Sequence, residues 1–237
     1  MQQSPFDMEY NLHALFYKAL SNSDQEIQQQ LKALESIVLE AQKLHPIFSN
    51  LYINNAINPS KPLDYSFPSQ EAFKYLYNAR KKDPFDSALL WNGKNDSAEY
   101  ISVTLNSISL KFGLENQLDI ETLENLLKIL LKYLKFKYIF ISNHFFRDTI
   151  IFEHRHPVSA ICYVPQIISE NSIPHLYKKI DVLNDLNQGS ILIFDENIFE
   201  ESDRMKKIIE ENAIALVALD AIPETELDSD FFNEVDL

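Results

Sequence analysis

The chain has 237 residues, 46% of them hydrophobic and 12% aromatic, and a formal net charge of −14. It is long and apolar enough to bury a sizeable core, which excludes a disordered polymer. Three glycines (Gly93, Gly113, Gly189) exclude a glycine-rich phosphate loop, the single Cys162 excludes an internal disulfide or a cysteine-based zinc cluster, and the acidic balance argues against nucleic acid as a direct ligand.

Tyr10–Leu20 reads as a first strand buried on both faces. Ser23 and Glu26 form a capping box that opens a helix, and Ile27, Leu31, Leu34, Ile37, Val38, Ala41 and Leu44 keep helical spacing until His45-Pro46 ends it. Ile47–Ile53 is expected as a strand and Asn54–Pro68, with three prolines, as a loop. Ser69–Lys82 reads as a second helix with Phe73, Leu76 and Tyr77 facing inward, and Arg80, Lys81 and Lys82 suit the negative end of its dipole. Strands are expected over Asp86–Trp91, Tyr100–Asn106 and Ser107–Phe112, with turns at Asn92-Gly93 and Asn95-Asp96.

Asp119 caps a third helix that runs to about Lys135 on a leucine stripe. Tyr138–Ile141, Thr149–His154 and Val158–Val164 read as strands, and Ile173–Leu186 as a fourth helix with Gly189 in its cap. Ile191–Phe194 is a strand, Ile198–Glu211 a fifth helix and Ile214–Leu219 a last strand. Helices alternate with strands that sometimes follow one another directly. The expected class is therefore α+β: a mixed, largely antiparallel sheet or sheets with about five helices. One α+β domain is expected over 1–222, divisible into two lobes near 142–148, and 223–237 as an acidic tail.

Charge is the most uneven property. From Asp195 to Leu237 there are 14 acids against three bases, a net of −11; the first 194 residues carry 21 acids and 18 bases. Such a block repels itself, and it serves a protein that meets a basic partner. The candidate contact residues are Glu196, Glu200, Glu201, Asp203, Glu224, Glu226, Asp228 and Asp230, with Phe231 and Phe232 as apolar anchors in a charged rim. A solubilising surface is the plainer account, and both phenylalanines can also fold back on the chain's own core.

Chemistry-bearing patterns are sparse. In a strand, His154 and His156 share one face, and a metal would need a third ligand such as His144 or His175; an exposed strand end is the plainer account. Cys162 lies in an apolar run and reads as a core residue rather than a nucleophile. A metal-dependent hydrolase built on His154 and His156 is the alternative function, and an acidic adaptor for another basic partner is a third. The leading expectation is a non-enzymatic protein without a cofactor. The N-terminus lacks a secretory pattern and no apolar stretch is long enough to span a bilayer, so the expected location is the cytoplasm, away from membrane.

The segment Leu44–Asn106 carries a resemblance. Pro46, Phe48, Ser49 and Tyr52 follow the first helix, and Leu90, Trp91, Asn92 and Gly93 end a hydrophobic strand before another of alternating residues. In these residues and their order the chain resembles the immunity protein 52 family of bacterial polymorphic-toxin systems. It departs from the family at Phe16 and Tyr17, where a Trp-Gly pair is usual, and at Ala160–Val164, where a Gly-Trp strand is usual. The resemblance implies an α+β inhibitor that binds and neutralises a cognate toxin, of which nucleases are the expected kind. A nuclease has a basic cleft, and an acidic inhibitor complements it.

Overall fold

Alternation sets the first strand. In a computed structural model, which describes residues 10–54, 61–83, 85–94, 97–149, 151–227 and 230–232, β1 spans Tyr10–Phe16. Tyr10, Leu12, Ala14 and Phe16 are buried and the residues between them only partly so. The strand thus stops short of Leu20 and buries one side, not two. Nine further strands follow: β2 (Leu51–Ile53), β3 (Ser66–Phe67), β4 (Ala88–Trp91), β5 (Ile101–Leu105), β6 (Ser109–Leu114), β7 (Phe136–Ser142), β8 (Ile161–Val164), β9 (Lys178–Leu183) and β10 (Gln188–Ile193). They form one sheet in the order β3-β2-β4-β5-β6-β1-β7-β8-β10-β9. Every pairing in it is antiparallel, and with five helices the class is α+β.

Each helix begins at a side chain that can cap it. Ser23, Ser69, Asp119, Asn143 and Ser202 accept from a backbone N–H two or three residues into α1 (Asp24–Leu44), α2 (Gln70–Lys82), α3 (Ile120–Tyr133), α4 (His144–Asp148) and α5 (Asp203–Ala218). Such a bond satisfies an amide that has no partner inside the helix. α1 packs between α2 and α3. They cover the sheet face that carries Leu12 and its register partner Phe112, against which Phe48 packs edge-on at 6.2 Å. The other face carries Phe140, stacked on His13 at 5.0 Å and tilted against His156 at 5.7 Å. His156 lines a small cavity with Ile209, Ala213 and Val217 of α5, so α5 lies on that second face.

The sheet continues across 142–148. β7 meets β8 at Ile139↔Tyr163 and Phe140↔Cys162, and one hydrophobic cluster holds residues from both sides, among them Leu12, Leu127, Ile161 and Leu216. Asn187, 3% exposed, ties the far end together. Its amide donates to the Leu131 and Leu134 carbonyls at the end of α3, and its Oδ1 accepts from Phe136 N–H. Glu124, buried in α3, binds Lys128 and Lys178 at 2.6 Å each. Burial pushes its carboxyl up, but the two ammonium groups more than offset this and hold it below the usual range.

Several expected elements differ. Ile173–Leu186 is not a helix. It holds β9, because Lys178, Ile180 and Val182 alternate with Lys179, Asp181 and Leu183 against β10. Gly189 therefore sits inside a strand, not in a helix cap. Ile214–Leu219 continues α5, whose buried Met205, Ile208, Ile209, Asn212, Ala213 and Leu216 keep a helical stripe through both segments. The fifth helix accordingly starts at Asp203, after its Ser202 cap, and not at Ile198. Ile47–Ile53 begins as a 3-10 turn at Pro46–Phe48 before β2, and the described residues of 149–154 form turns where a strand was expected. In α2 the fully buried positions are Ala72, Leu76 and Arg80, with Phe73 and Tyr77 half-buried. The Asn95-Asp96 turn and much of the proline loop lie outside the described residues.

Trp91 is buried in β4 between Tyr52 of β2 and Ser102 of β5. Gly93 follows at φ +73°, the left-handed region that favours glycine. The residues that carry the family resemblance thus build core and hairpin. No helix of the described residues is long and apolar enough to cross a membrane.

Candidate functional site

The acidic block does not form one face. α5 divides it. A 16-residue helix is about 24 Å long; Glu210 and Glu211 lie at its middle, and the other described acids of the block lie towards its two ends.

At the N-terminal end, Asp195 and Glu200 engage the Arg204 guanidinium, with Glu196, Glu201 and Asp203 close by in the chain; with Lys206 and Lys207 the net charge of 195–207 is −2. Arg204 binds Asp195 at 2.7 Å and Glu200 at 2.5 Å. It holds both carboxyls below the usual range, so they stay charged. Glu201 accepts a hydrogen bond from the Asn143 amide at 3.3 Å. Glu196 and Asp203 are exposed and make no ion pair among the described residues. Helix geometry favours this placement, since backbone N–H groups at an N-terminus stabilise negative charge.

At the C-terminal end the chain turns through Asp220 at φ +52°. Asp220 N–H donates to the Val217 carbonyl and Ala221 N–H to that of Leu216, which closes the helix. Arg155 then clasps the departing segment. Its guanidinium meets Asp220 at 3.0 Å, the Ile222 carbonyl at 2.5 Å and Glu224 at 3.5 Å. Backbone bonds run alongside, from His156 N–H to the Pro223 carbonyl and from Thr225 N–H to that of His154. The segment forms one lip of a cleft of about 580 Å³, which Glu226, Tyr17 and Lys137 also line. Glu224 is therefore engaged by its own chain, whereas Glu226 faces the opening.

Phe231 docks as well. Ala19 N–H donates to the Phe231 carbonyl at 2.9 Å, and Phe231 is 4% exposed. Its ring fills the chain's own core and does not stand out as an anchor. Phe232 packs edge-on to it at 5.1 Å and remains 52% exposed. Asp230 is exposed, and Asp228 lies outside the described residues.

No protein-family model matches this chain, and no curated protein matches it. The immunity-family resemblance therefore rests on the residues quoted for it.

The histidines do not converge. His154 is exposed, His156 packs on Tyr138 and Phe140, His144 binds Asp148 at 3.0 Å and His175 binds Glu211 at 2.5 Å. No group of three histidine, cysteine, aspartate or glutamate side chains among the described residues is placed to hold a metal ion. Their separation follows from local structure: 153–156 is a turn and an isolated bridge, not the strand that would align His154 with His156. Cys162 is fully buried in β8, and burial pushes its thiol up to about 12.

The role of Arg155 is not legible in the sequence, where 153–156 reads as an exposed strand end. The signal was a lone arginine beside a run of acids 65 residues later. Replacing Arg155 with methionine is expected to cost about 2 kcal/mol through its lost charged hydrogen bonds and to free the segment beyond Ile222. Limited proteolysis and urea midpoints check this, and a variant as resistant as the parent would show that the clasp does not hold the tail.

Proposed function

We propose that this chain is an immunity protein that binds and neutralises a cognate bacterial toxin through direct contact with a basic surface. The observation that carries the reading is the N-terminal end of α5, where Glu196, Glu201 and Asp203 are exposed and make no ion pair among the described residues, beside the Asp195 and Glu200 carboxylates held by Arg204. The family resemblance of Leu44–Asn106 supplies the kind of partner, a toxin made by the same cell and possessing a nuclease's basic cleft. In this reading the inhibitor acts in the cytoplasm. Charge of one sign, concentrated on a folded surface, speeds encounter with an oppositely charged partner before close contacts form.

The partner is sought by co-expression with the product of the adjacent gene, followed by pull-down and a growth-rescue test. Failure of rescue with every neighbouring gene product would remove the reading. Charge dependence is tested separately. Glu196→Gln, Glu201→Gln and Asp203→Asn together are expected to slow association roughly tenfold at low salt and to flatten its salt dependence, as read by stopped flow. Glu224→Gln should change the rate less, because Arg155 already engages that carboxylate. An unchanged low-salt rate in the triple variant would overturn the role of this patch.

A further inference from the structure

A second opening lies at the C-terminal end of α2, on the β2–β4 side of the sheet and several strands from the acidic tail. It is a cavity of about 370 Å³. Leu76 of α2 and Leu89 of β4 form apolar walls, the rings of Tyr75 and Phe85 flank them, and Asp83 and Asp86 complete the lining. Phe85 is 70% exposed and Tyr75 39%. An aromatic ring left this open beside an apolar recess is surface that a ligand can cover.

The carboxylates point to the sign of that ligand. Asp83 Oδ1 accepts from Phe85 N–H at 2.9 Å and Asp86 Oδ1 from Ser87 N–H at 2.8 Å. The second oxygen of each accepts no hydrogen bond among the described residues. Neighbouring cations are directed elsewhere or unpaired: Arg80, 3% exposed, donates to the Asp86 backbone carbonyl at 2.8 Å and to Gln30 at 3.2 Å, and the exposed Lys82 makes no ion pair with either aspartate. Lys81 is paired with Asp24 at 2.6 Å. Asp83 also caps the carboxyl end of α2, where the helix dipole favours positive charge.

An aliphatic shaft that ends in a charge fits such a recess. Its methylenes lie along the leucines, and its head sits between a ring face and a carboxylate oxygen. We propose that this cavity receives a lysine or arginine side chain of the basic partner polypeptide. The proposal deepens the inhibitor reading and rests on it for the partner, but not for the pocket's chemistry.

The pocket is tested without the partner. Isotope-labelled protein is titrated with N-acetyl-arginine amide, N-acetyl-lysine amide and the neutral isostere N-acetyl-citrulline amide, following the amide signals of Phe85, Ser87 and Leu89. The cationic probes are expected to give saturable shifts at roughly millimolar concentration, with citrulline about fivefold weaker. Asp83→Asn with Asp86→Asn should abolish that preference while keeping the Oδ1 contacts. Phe85→Ala, at an exposed site that leaves folding intact, should weaken both cationic probes. Equal binding of citrulline and arginine, or no saturable shift, would overturn the proposal. Two further outcomes separate it from the inhibitor reading. A captured toxin bound equally well by the double asparagine variant sinks the pocket's role alone. Cation binding here with no basic partner captured sinks the inhibitor reading alone.

Discussion

Replacing Gly189 with alanine is expected to destabilise the protein by about 3 kcal/mol or more, near the upper end of overpacking costs. The reason is contact, not backbone freedom. A Cβ at this position in β10 would stand 2.1 Å from the Val164 carbonyl oxygen and 2.7 Å from the Tyr163 ring. Val164 pairs with Ser190 in the adjoining strand, so the carbonyl has little room to retreat. Tyr163 is itself fully buried. Urea unfolding followed by Trp91 fluorescence, alongside far-ultraviolet circular dichroism, reads the effect. Trp91 is the only tryptophan and lies in β4, six strands from β10 in the sheet. Coincident loss of both signals would show that the substitution is felt across the whole sheet. An unchanged midpoint would mean that β8 and β10 are not packed as described. Gly93→Ala is a useful contrast. There the contact is the Pro62 ring at 3.1 Å, and the strain comes from φ +73°, so a cost of about 1 kcal/mol is expected.

Acid is the second large lever. Burial first, and then the positive charges of Lys111, His156 and Arg147, push the His13 imidazole down to about 4 from an ordinary 6.5. Burial and Lys137 do the same for His156, also to about 4. From about one pH unit above 6.5 both rings are neutral whether the chain is folded or not, and the native state keeps its full stability. As pH falls from 6.5 towards 4, the unfolded chain takes up protons that the native state refuses. Stability is then lost at up to about 1.4 kcal/mol per pH unit for each ring. Between pH 6.5 and 5 this loss precedes carboxylate titration, so urea midpoints in that window isolate the histidines. His156→Asn should reduce the slope by about half. A slope that the substitution leaves unaltered would show that these rings are not the titrating groups.

Much of the local structure was legible because it depends on neighbours in sequence. Ser23 and Asp119 announce two helices through side chains that satisfy the next free amides. The stripe from Ile27 to Leu44 and the leucines after Asp119 then fixed which sides turn inward. Where two periods compete, local spacing does not decide the element. Ile173–Leu186 offers apolar residues at both helical and alternating spacing, and only β10 lying alongside decides for the strand. Ala213–Leu219 is apolar almost throughout, so its period is visible only when Met205–Leu216 is taken as one stripe.

The candidate site was legible as composition and not as place. The sequence determined that charge is concentrated after Asp195, that the chain carries a buried core, and that glycine-loop and thiol-cluster chemistry are excluded. These follow from counts and local spacing, which folding does not alter. The tertiary structure decided which acids are available. Arg155, remote in sequence, takes up Asp220 and Glu224. Arg204 draws in Asp195 and Glu200, and α5 holds the two groups about 24 Å apart by its length alone. It also buried Phe231 and opened the aromatic recess at Phe85. Ion pairing and burial depend on distances between segments that chain order does not specify, so which of the described acids enter ion pairs was decided only on folding.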